Sequence, residues 1–435
     1  MMSGEKKTTG TASTRSGLIL YPAFIFAFAV AVHLFLAFTH PPGPHLHDEA
    51  EYDQLACSIL DGKGFTRPDG SPTASRPPLY PVLVALIYWL FGPGDTAVFL
   101  IQGILHATTC VLIYFMGRII YGNPVGLIAG LGGALYPMLI FPAHDLLSES
   151  LLVFLFTTAL FVLCANRGRY RMTFWAGFLL ALSLLTKPVA LFAVPFFAIW
   201  IWRNQYEKKL KAVCLFLLAI VLVLLPWTVR NYRAFDTFVP FTTGGGLAFY
   251  NSYVLPPRGL GFNSLDGIPP EFFTIENEAE QSRYLTDRTL GYISNHPLEA
   301  GRLLALKVFL FLYPLDGYWY SLSLGSKYNI FWGVILSFSI LGFFSRTADP
   351  SARELLFVAL LSVSLLALVL AGIPRYRITL EPVFLLFASS GITRLWSRSE
   401  RRVFLIMGAH ALVWLFFRFS GADDLLRWEK WSAFF

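Results

Sequence analysis

Of 435 residues, 55% are hydrophobic, 16% aromatic and only 14% charged. Soluble domains carry about a quarter charged residues, so this composition excludes a soluble globular protein and implies a polytopic membrane protein. The net charge of +7 comes from Lys and Arg dispersed between apolar runs rather than gathered in a stripe, which argues against a nucleic-acid partner.

The chain opens with Lys6, Lys7 and Arg15 ahead of an apolar run over 17–38, long enough to cross a bilayer as one helix. That run is too long for a cleavable signal and no small-x-small site follows it. It reads as a retained anchor behind a cytoplasmic tail of residues 1–16. Directly after it stands His47-Asp48-Glu49-Ala50-Glu51-Tyr52-Asp53. Carboxylates crowded at a membrane exit are costly unless water, a cation or a partner receives them, so this cluster is a candidate working centre; an acidic solvated loop is the plainer reading. Leu79 to Gly92 is apolar but too short to span, and follows Arg76-Pro77-Pro78, so it reads as an interfacial helix on the outer face.

Further apolar runs fall at 96–117, 124–141, 150–165, 173–185, 189–202, 212–228, 329–344, 355–372, 377–393 and 403–417. Together they predict an all-α polytopic fold with about eleven transmembrane helices plus interfacial ones. A cytoplasmic N-terminus puts Arg118, then Arg167, Arg169 and Arg171, then Arg203, Lys208, Lys209 and Lys211, then Arg346 and Arg353, then Arg394, Arg398, Arg401 and Arg402 on the inner side, as the positive-inside rule asks. Leu303 to Tyr320 contains Lys307, Pro314 and Asp316, and counting it as a crossing would reverse every later charge; it is read as interfacial. The result is one transmembrane domain over 17–420 with outer loops 39–95 and 229–328, and a tail at 421–435. Gly244-Gly245-Gly246 in the second loop is a turn, since no GK[ST] follows it. Cys110, Cys164 and Cys214 lie in apolar stretches and Cys57 is alone in the first polar loop, so no disulfide framework is expected.

This topology gathers polar groups on one face: Asp48 and Glu49; His144, Asp145 and Glu149; Lys187; Arg230, Asn231 and Arg233; and Arg375, Tyr376 and Arg377. Acids and bases meeting at one membrane surface suit a reactive hydroxyl, which needs a base, and a phosphate leaving group, which needs cations. Each has a plainer reading. Arg375 and Arg377 are also good headgroup anchors. Glu149 is placed to cap a helix, His144 and Asp145 to form a surface pair, and His33 and His106 to be satisfied interior histidines. Lys187 is harder to dismiss, because a lone ammonium beside Pro188 in a long apolar stretch is expensive. Without HExxH, CxxC or histidines at ligand spacing, no zinc site is expected. Glu271, Glu276, Glu278 and Glu280 form either an acceptor-facing patch or a solvated face.

The order of motifs resembles a known group. Asp48-Glu49-Ala50, Arg76-Pro77-Pro78-Leu79-Tyr80-Pro81 with Phe91-Gly92, Leu147-Ser148-Glu149, Thr186-Lys187-Pro188, Pro226-Trp227-Thr228-Val229-Arg230-Asn231-Tyr232, and Arg375-Tyr376-Arg377 with Glu381-Pro382 are similar to the bacterial branch of the protein O-mannosyltransferase superfamily. This is glycosyltransferase family 39, with the lipid A aminoarabinose transferases among its relatives. The resemblance implies a C-type glycosyltransferase fold in the inner (plasma) membrane, active on the periplasmic or exterior face. Its donor would be a polyprenyl-phosphate-linked sugar and its acceptor a lipid, protein or glycan. It assigns Asp48 as the base with Glu49 beside it, and Glu149 as the second acid. Asp145 competes for that second place, with His144 and Arg230 as further candidates. Lys187, Arg375, Tyr376, Arg377 and, more loosely, Arg76 would hold the donor phosphate. Some relatives hold a divalent metal ion near the acidic loops, which here would fall to Asp48 and Glu149. Direct displacement at the anomeric carbon would invert it. A transporter or flippase of lipid-linked sugars is the alternative, though no repeated halves with matching interrupted helices are visible.

Overall fold

The computed structural model describes residues 11–39, 48–166, 168–204, 208–255, 265, 267–312, 330–370 and 374–397. Among them every long element is a helix. In chain order these are α1 (Thr11–Thr39), α2 (Asp48–Leu60), α3 (Leu79–Phe91), α4 (Asp95–Tyr121), α5 (Asn123–Leu135), α6 (Pro137–Ile140), α7 (Glu149–Ala165), α8 (Met172–Thr186) and α9 (Ala193–Asn204). There follow α10 (Lys209–Phe235), α11 (Gly245–Tyr253), α12 (Glu278–Asn295), α13 (Pro297–Leu312), α14 (Ile330–Phe343), α15 (Pro350–Leu370), α16 (Pro374–Arg377) and α17 (Glu381–Ser397). In its described part, each apolar run read from the sequence up to residue 393 is largely helical, though the run at 124–141 is broken at Tyr136. The run at 403–417, residues 1–10 and 421–435 of the two tails, and residues 313–320 of the second interfacial segment lie outside the described residues.

Five described helices are long and apolar enough to cross a membrane, or six if a bent pair is one span; α3, α7, α8 and most of α14 are shorter apolar helices. This is a multi-pass membrane protein. The bent pair joins α5 to Pro137–His144 at 64°. The break falls where it should: Pro137 removes a donor and pushes Tyr136 out of the helical region, to φ −83°, ψ 114°. Lys187-Pro188 ends α8 in the same way, with Lys187 extended at φ −161°, ψ 123°. Without an aqueous driving force between apolar helices, close backbone approach matters more. A Cβ on Gly177 would stand 2.3 Å from the Phe216 carbonyl oxygen, so α8 and α10 pack only because that residue is glycine. Residues Leu217, Leu218, Val221, Leu222 and Leu225 of α10, and Val82, Leu86, Trp89, Leu90 and Phe91 of α3, turn large apolar side chains outward, as lipid-facing surfaces do.

The two polar loops are fastened together. Glu278, at the start of α12, accepts from the Ala74 amide at 3.0 Å, from Arg67 at 2.7 Å and from the Thr243 hydroxyl. Arg230 donates to the carbonyls of Thr73 (2.9 Å) and Phe65 (2.7 Å). The clasp fixes the segment that leads into Arg76.

Candidate active site

Residues from five separate stretches converge. Asp48 is the first residue of α2, with Glu49 and Glu51 in the same turn, where the helix dipole favours acids. Glu149 begins α7, Lys187 follows α8, Arg76 precedes α3 and Arg375 lies in α16. The Arg375 guanidinium bridges the two acids: Nη1 lies 2.5 Å from Asp48 Oδ2, and Nε donates to Glu149 Oε1. Lys187 Nζ donates to the same Glu149 oxygen at 2.9 Å. Arg76 holds the other oxygen of Asp48 at 2.5 Å and Glu51 at 2.7 Å, while the Ser75 hydroxyl donates to Glu51. Lys187 stands 5.4 Å over the Tyr376 ring and Arg76 5.5 Å over Tyr52, whose hydroxyl donates to Ser148 at 3.1 Å. The Glu149 side chain is 2% exposed, against 13–18% for Asp48, Arg76, Lys187 and Arg375. Paired charges of this kind are largely shielded from salt.

The environment separates the acids. Burial alone would raise Asp48, but Arg76, Arg375 and Lys187 outweigh it and hold its carboxyl well below the usual carboxylate range. Asp145 goes the other way: burial, then Glu49 and Glu149, push it up to about 7 against the pull of Arg375. Burial and Arg375 lower Lys187, opposed by Glu149 and Asp48.

Several expectations are corrected here. Glu149 is not a helix cap: Ser148 occupies the N-cap without a side-chain cap bond, and Glu149 turns to its cations. Arg377 is not in the cluster. It is fully buried, paired with Glu381 at 2.9 Å, 3.6 Å over Trp332 and donating to the Phe311 carbonyl. Arg230 belongs to the loop clasp, over Trp227 at 5.1 Å. His144 is half-buried rather than a surface residue, and its ring bonds to His33 at 2.9 Å. His47 lies outside the described residues. Glu51 and Tyr52 join the site although only Asp48 and Glu49 were singled out in their motif, and a one-turn spacing along α2 would have pointed to them. The four cysteines are free.

A divalent ion between Asp48 and Glu149 does not fit these side chains, because the Arg375 guanidinium occupies that position. Among the described residues no group of three His, Cys, Asp or Glu is placed to hold a metal ion.

Residues 75–229 match the family model described as dolichyl-phosphate-mannose-protein mannosyltransferase. The resemblance read from the sequence holds over that stretch. The mannosyltransferase-like segment contains Arg76, Asp145, Glu149 and Lys187; the structure adds Asp48 and Arg375 from either side of it. No curated protein matches the chain. Among solved structures, oligosaccharyltransferase AglB from Archaeoglobus fulgidus, in complex with an inhibitory peptide and a dolichol-phosphate, is 13% identical with a TM-score of 0.52, over 91% of this chain and 54% of that one. The A. fulgidus oligosaccharyltransferase tethered to an acceptor peptide gives 14%, 0.52, 91% and 54%. ArnT from Cupriavidus metallidurans bound to undecaprenyl phosphate gives 14% identity and a TM-score of 0.42, over 88% and 79%. The likeness to the archaeal enzyme establishes the fold; this chain spans about half the length of that protein.

Proposed function

We propose that this chain is a membrane glycosyltransferase of C-type architecture. It would move a sugar from a polyprenyl-phosphate donor to an acceptor hydroxyl on a lipid, protein or glycan, at the extracytoplasmic face of the inner (plasma) membrane. The observation that carries this reading is the bridge from Arg375 to Asp48 and Glu149, which lie 327 and 226 residues earlier in the chain. The distribution of Lys and Arg supports the outer face, and the crossings beyond the long helices belong to the proposal, as does the division into one domain over 17–420 with short tails.

Three cations, Arg76, Lys187 and Arg375, offer a phosphate more positive charge than any one carboxylate holds. As the donor enters, its phosphate draws these groups, and Asp48 loses partners that keep it a weak base. Asp48 then takes the acceptor's proton while the acceptor oxygen bonds to the anomeric carbon and the bond from that carbon to the phosphate oxygen breaks. The polyprenyl phosphate leaves as an anion held by the cations, so no acid is needed to protonate it. Attack opposite the leaving group inverts the anomeric carbon. Glu149 keeps Arg375 and Lys187 in register, with Glu49 and Tyr376 flanking them.

A second reading makes Asp145 the base, favoured by its position near neutrality, where a base is best matched to its task. Transfer of labelled sugar from a polyprenyl-phosphate donor by the protein in vesicles tests both: D48N abolishes it under the first reading, D145N under the second. A protein that moves sugar from none of the polyprenyl-phosphate hexoses or pentoses offered would overturn the proposal.

A further inference from the structure

Beneath the site runs a chain of three imidazoles contributed by three separate segments. His33 of α1 and His106 of α4, each 3% exposed, are joined Nε2 to Nδ1 at 2.7 Å; His33 Nδ1 meets His144 Nε2 at 2.9 Å; and His106 Nε2 lies 3.2 Å from the Gly133 carbonyl. The carbonyl at the far end fixes every hydrogen in the chain. An oxygen can only accept, so His106 Nε2 carries the hydrogen, and its Nδ1 must then accept from His33 Nε2. By the same step His33 Nδ1 accepts from His144 Nε2. The rings therefore share one tautomer, and the direction is set from Gly133 outward. The Cys110 sulfur, 3.5 Å from His106 Nε2, can serve only as a weak second acceptor there.

The same turn is gripped from its other side. Tyr80 donates to Gln102 Oε1 at 2.9 Å, which leaves the Gln102 amide hydrogens for the carbonyls of Asp145 (2.9 Å) and Ala143 (3.3 Å). Gln102 is fully buried. Residues 143–145 are thus held by two directional polar systems, one on the ring of His144 and one on the flanking carbonyls, directly before Ser148 and Glu149.

We propose that His33 and His106 are positioning residues, which hold His144 through this directed chain and so fix the carboxyl of Asp145 among Glu49, Glu149 and Arg375. The inference deepens the proposed transferase reading, from which Asp145 takes its importance. It assigns these histidines a task through hydrogen-bond direction, which filling space in a helix interface would not require. At position 33 a glutamine accepts and donates as the imidazole does; a phenylalanine keeps the bulk and does neither.

The test is carbodiimide modification of Asp145, which requires a protonated carboxyl, followed against pH by mass spectrometry on the full chain in detergent. The wild type should lose reactivity with a midpoint at about 7. H33F should move that midpoint down by about one pH unit or more, toward the ordinary carboxylate range, as the turn loosens and water reaches the group. H33Q should keep it. H106F and H106Q form a second pair, read the same way if H33F does not fold. An unmoved midpoint in the phenylalanine variants, or equal displacement by glutamine and phenylalanine, overturns the inference. No donor or acceptor is present in this measurement, so its outcome is independent of whether sugar transfer is found.

Discussion

Replacing Arg375 by methionine removes the bridge between Asp48 and Glu149 while keeping most of the side chain's bulk. Stripping one partner from a buried ion pair costs about 3–5 kcal/mol when a charge is left uncompensated. Here neither acid is abandoned: Asp48 keeps Arg76 at 2.5 Å and Glu149 keeps Lys187 at 2.9 Å. The loss of stability should therefore be nearer that of charged hydrogen bonds, about 1.5–3 kcal/mol. Catalysis has no such reserve, since a donor aimed at developing phosphate charge is worth roughly 10²–10³ in kcat. R375M should thus fold and lose two to three decades of kcat in a single-turnover transfer assay. R377M should do the reverse: Arg377 is the buried partner of Glu381, so its loss destabilises by about 3–5 kcal/mol without a selective effect on the chemical step. An R375M protein within about threefold of wild-type kcat, or one whose defect is accounted for by its unfolded fraction, would refute the assignment.

The remaining predictions concern pH, the loop clasp and topology. With Asp48 as base, kcat/KM stays level from about pH 5 to 8, because in the donor-free enzyme that carboxyl is held ionised throughout; a rise centred at about 7 would transfer the role to Asp145. Asp145 is raised in the folded state above an ordinary value of about 4, so it contributes its full stability below that value and loses it as pH climbs through about 7. D145N should accordingly melt above wild type at pH 8 and converge with it as pH falls toward the ordinary carboxylate range; equal melting at pH 8 contradicts the shift. E278Q weakens the acceptor of Arg67, Ala74 and Thr243, and should raise KM for the donor more than it lowers kcat, by loosening the approach to Arg76. Single cysteines at the exposed positions Asp69 and Asp287, in a background without the native four, should label from the side opposite Lys209.

Much of the scaffold could be read in advance because its cause is local. Apolar runs specify helices in a membrane protein almost by themselves, and the Lys187-Pro188 and Tyr136-Pro137 steps announce where helices end. That Asp48, Glu149 and Arg375 lie on one face also follows from the topology; their direct pairing does not. What escaped was decided by side-chain direction. Arg375 and Arg377 stand two residues apart in one short turn and differ in sequence context hardly at all, yet one reaches the acids and the other packs over Trp332. The imidazole chain needs α1, α4 and the turn after α6 brought together, with 111 residues between His33 and His144, and nothing in the local pattern of either foretells it.

The charge count of the site explains how so apolar a chain tolerates it. Asp48, Glu51 and Glu149 are answered by Arg76, Lys187 and Arg375, so the paired cluster is neutral, and each acid has at least one cation within hydrogen-bond reach. Neutrality lowers the cost of burial, but it also means that a phosphate can bind only by competing with the carboxylates for their partners. Asp48 is more easily displaced than Glu149, because both of its cations also serve another acid while Glu149 has Lys187 besides the shared Arg375, and it is the more exposed of the two. In the proposed transferase, the event that fastens the leaving group would thus release the base, and a site that waits as a closed salt-bridge network would become reactive only when the donor is in place.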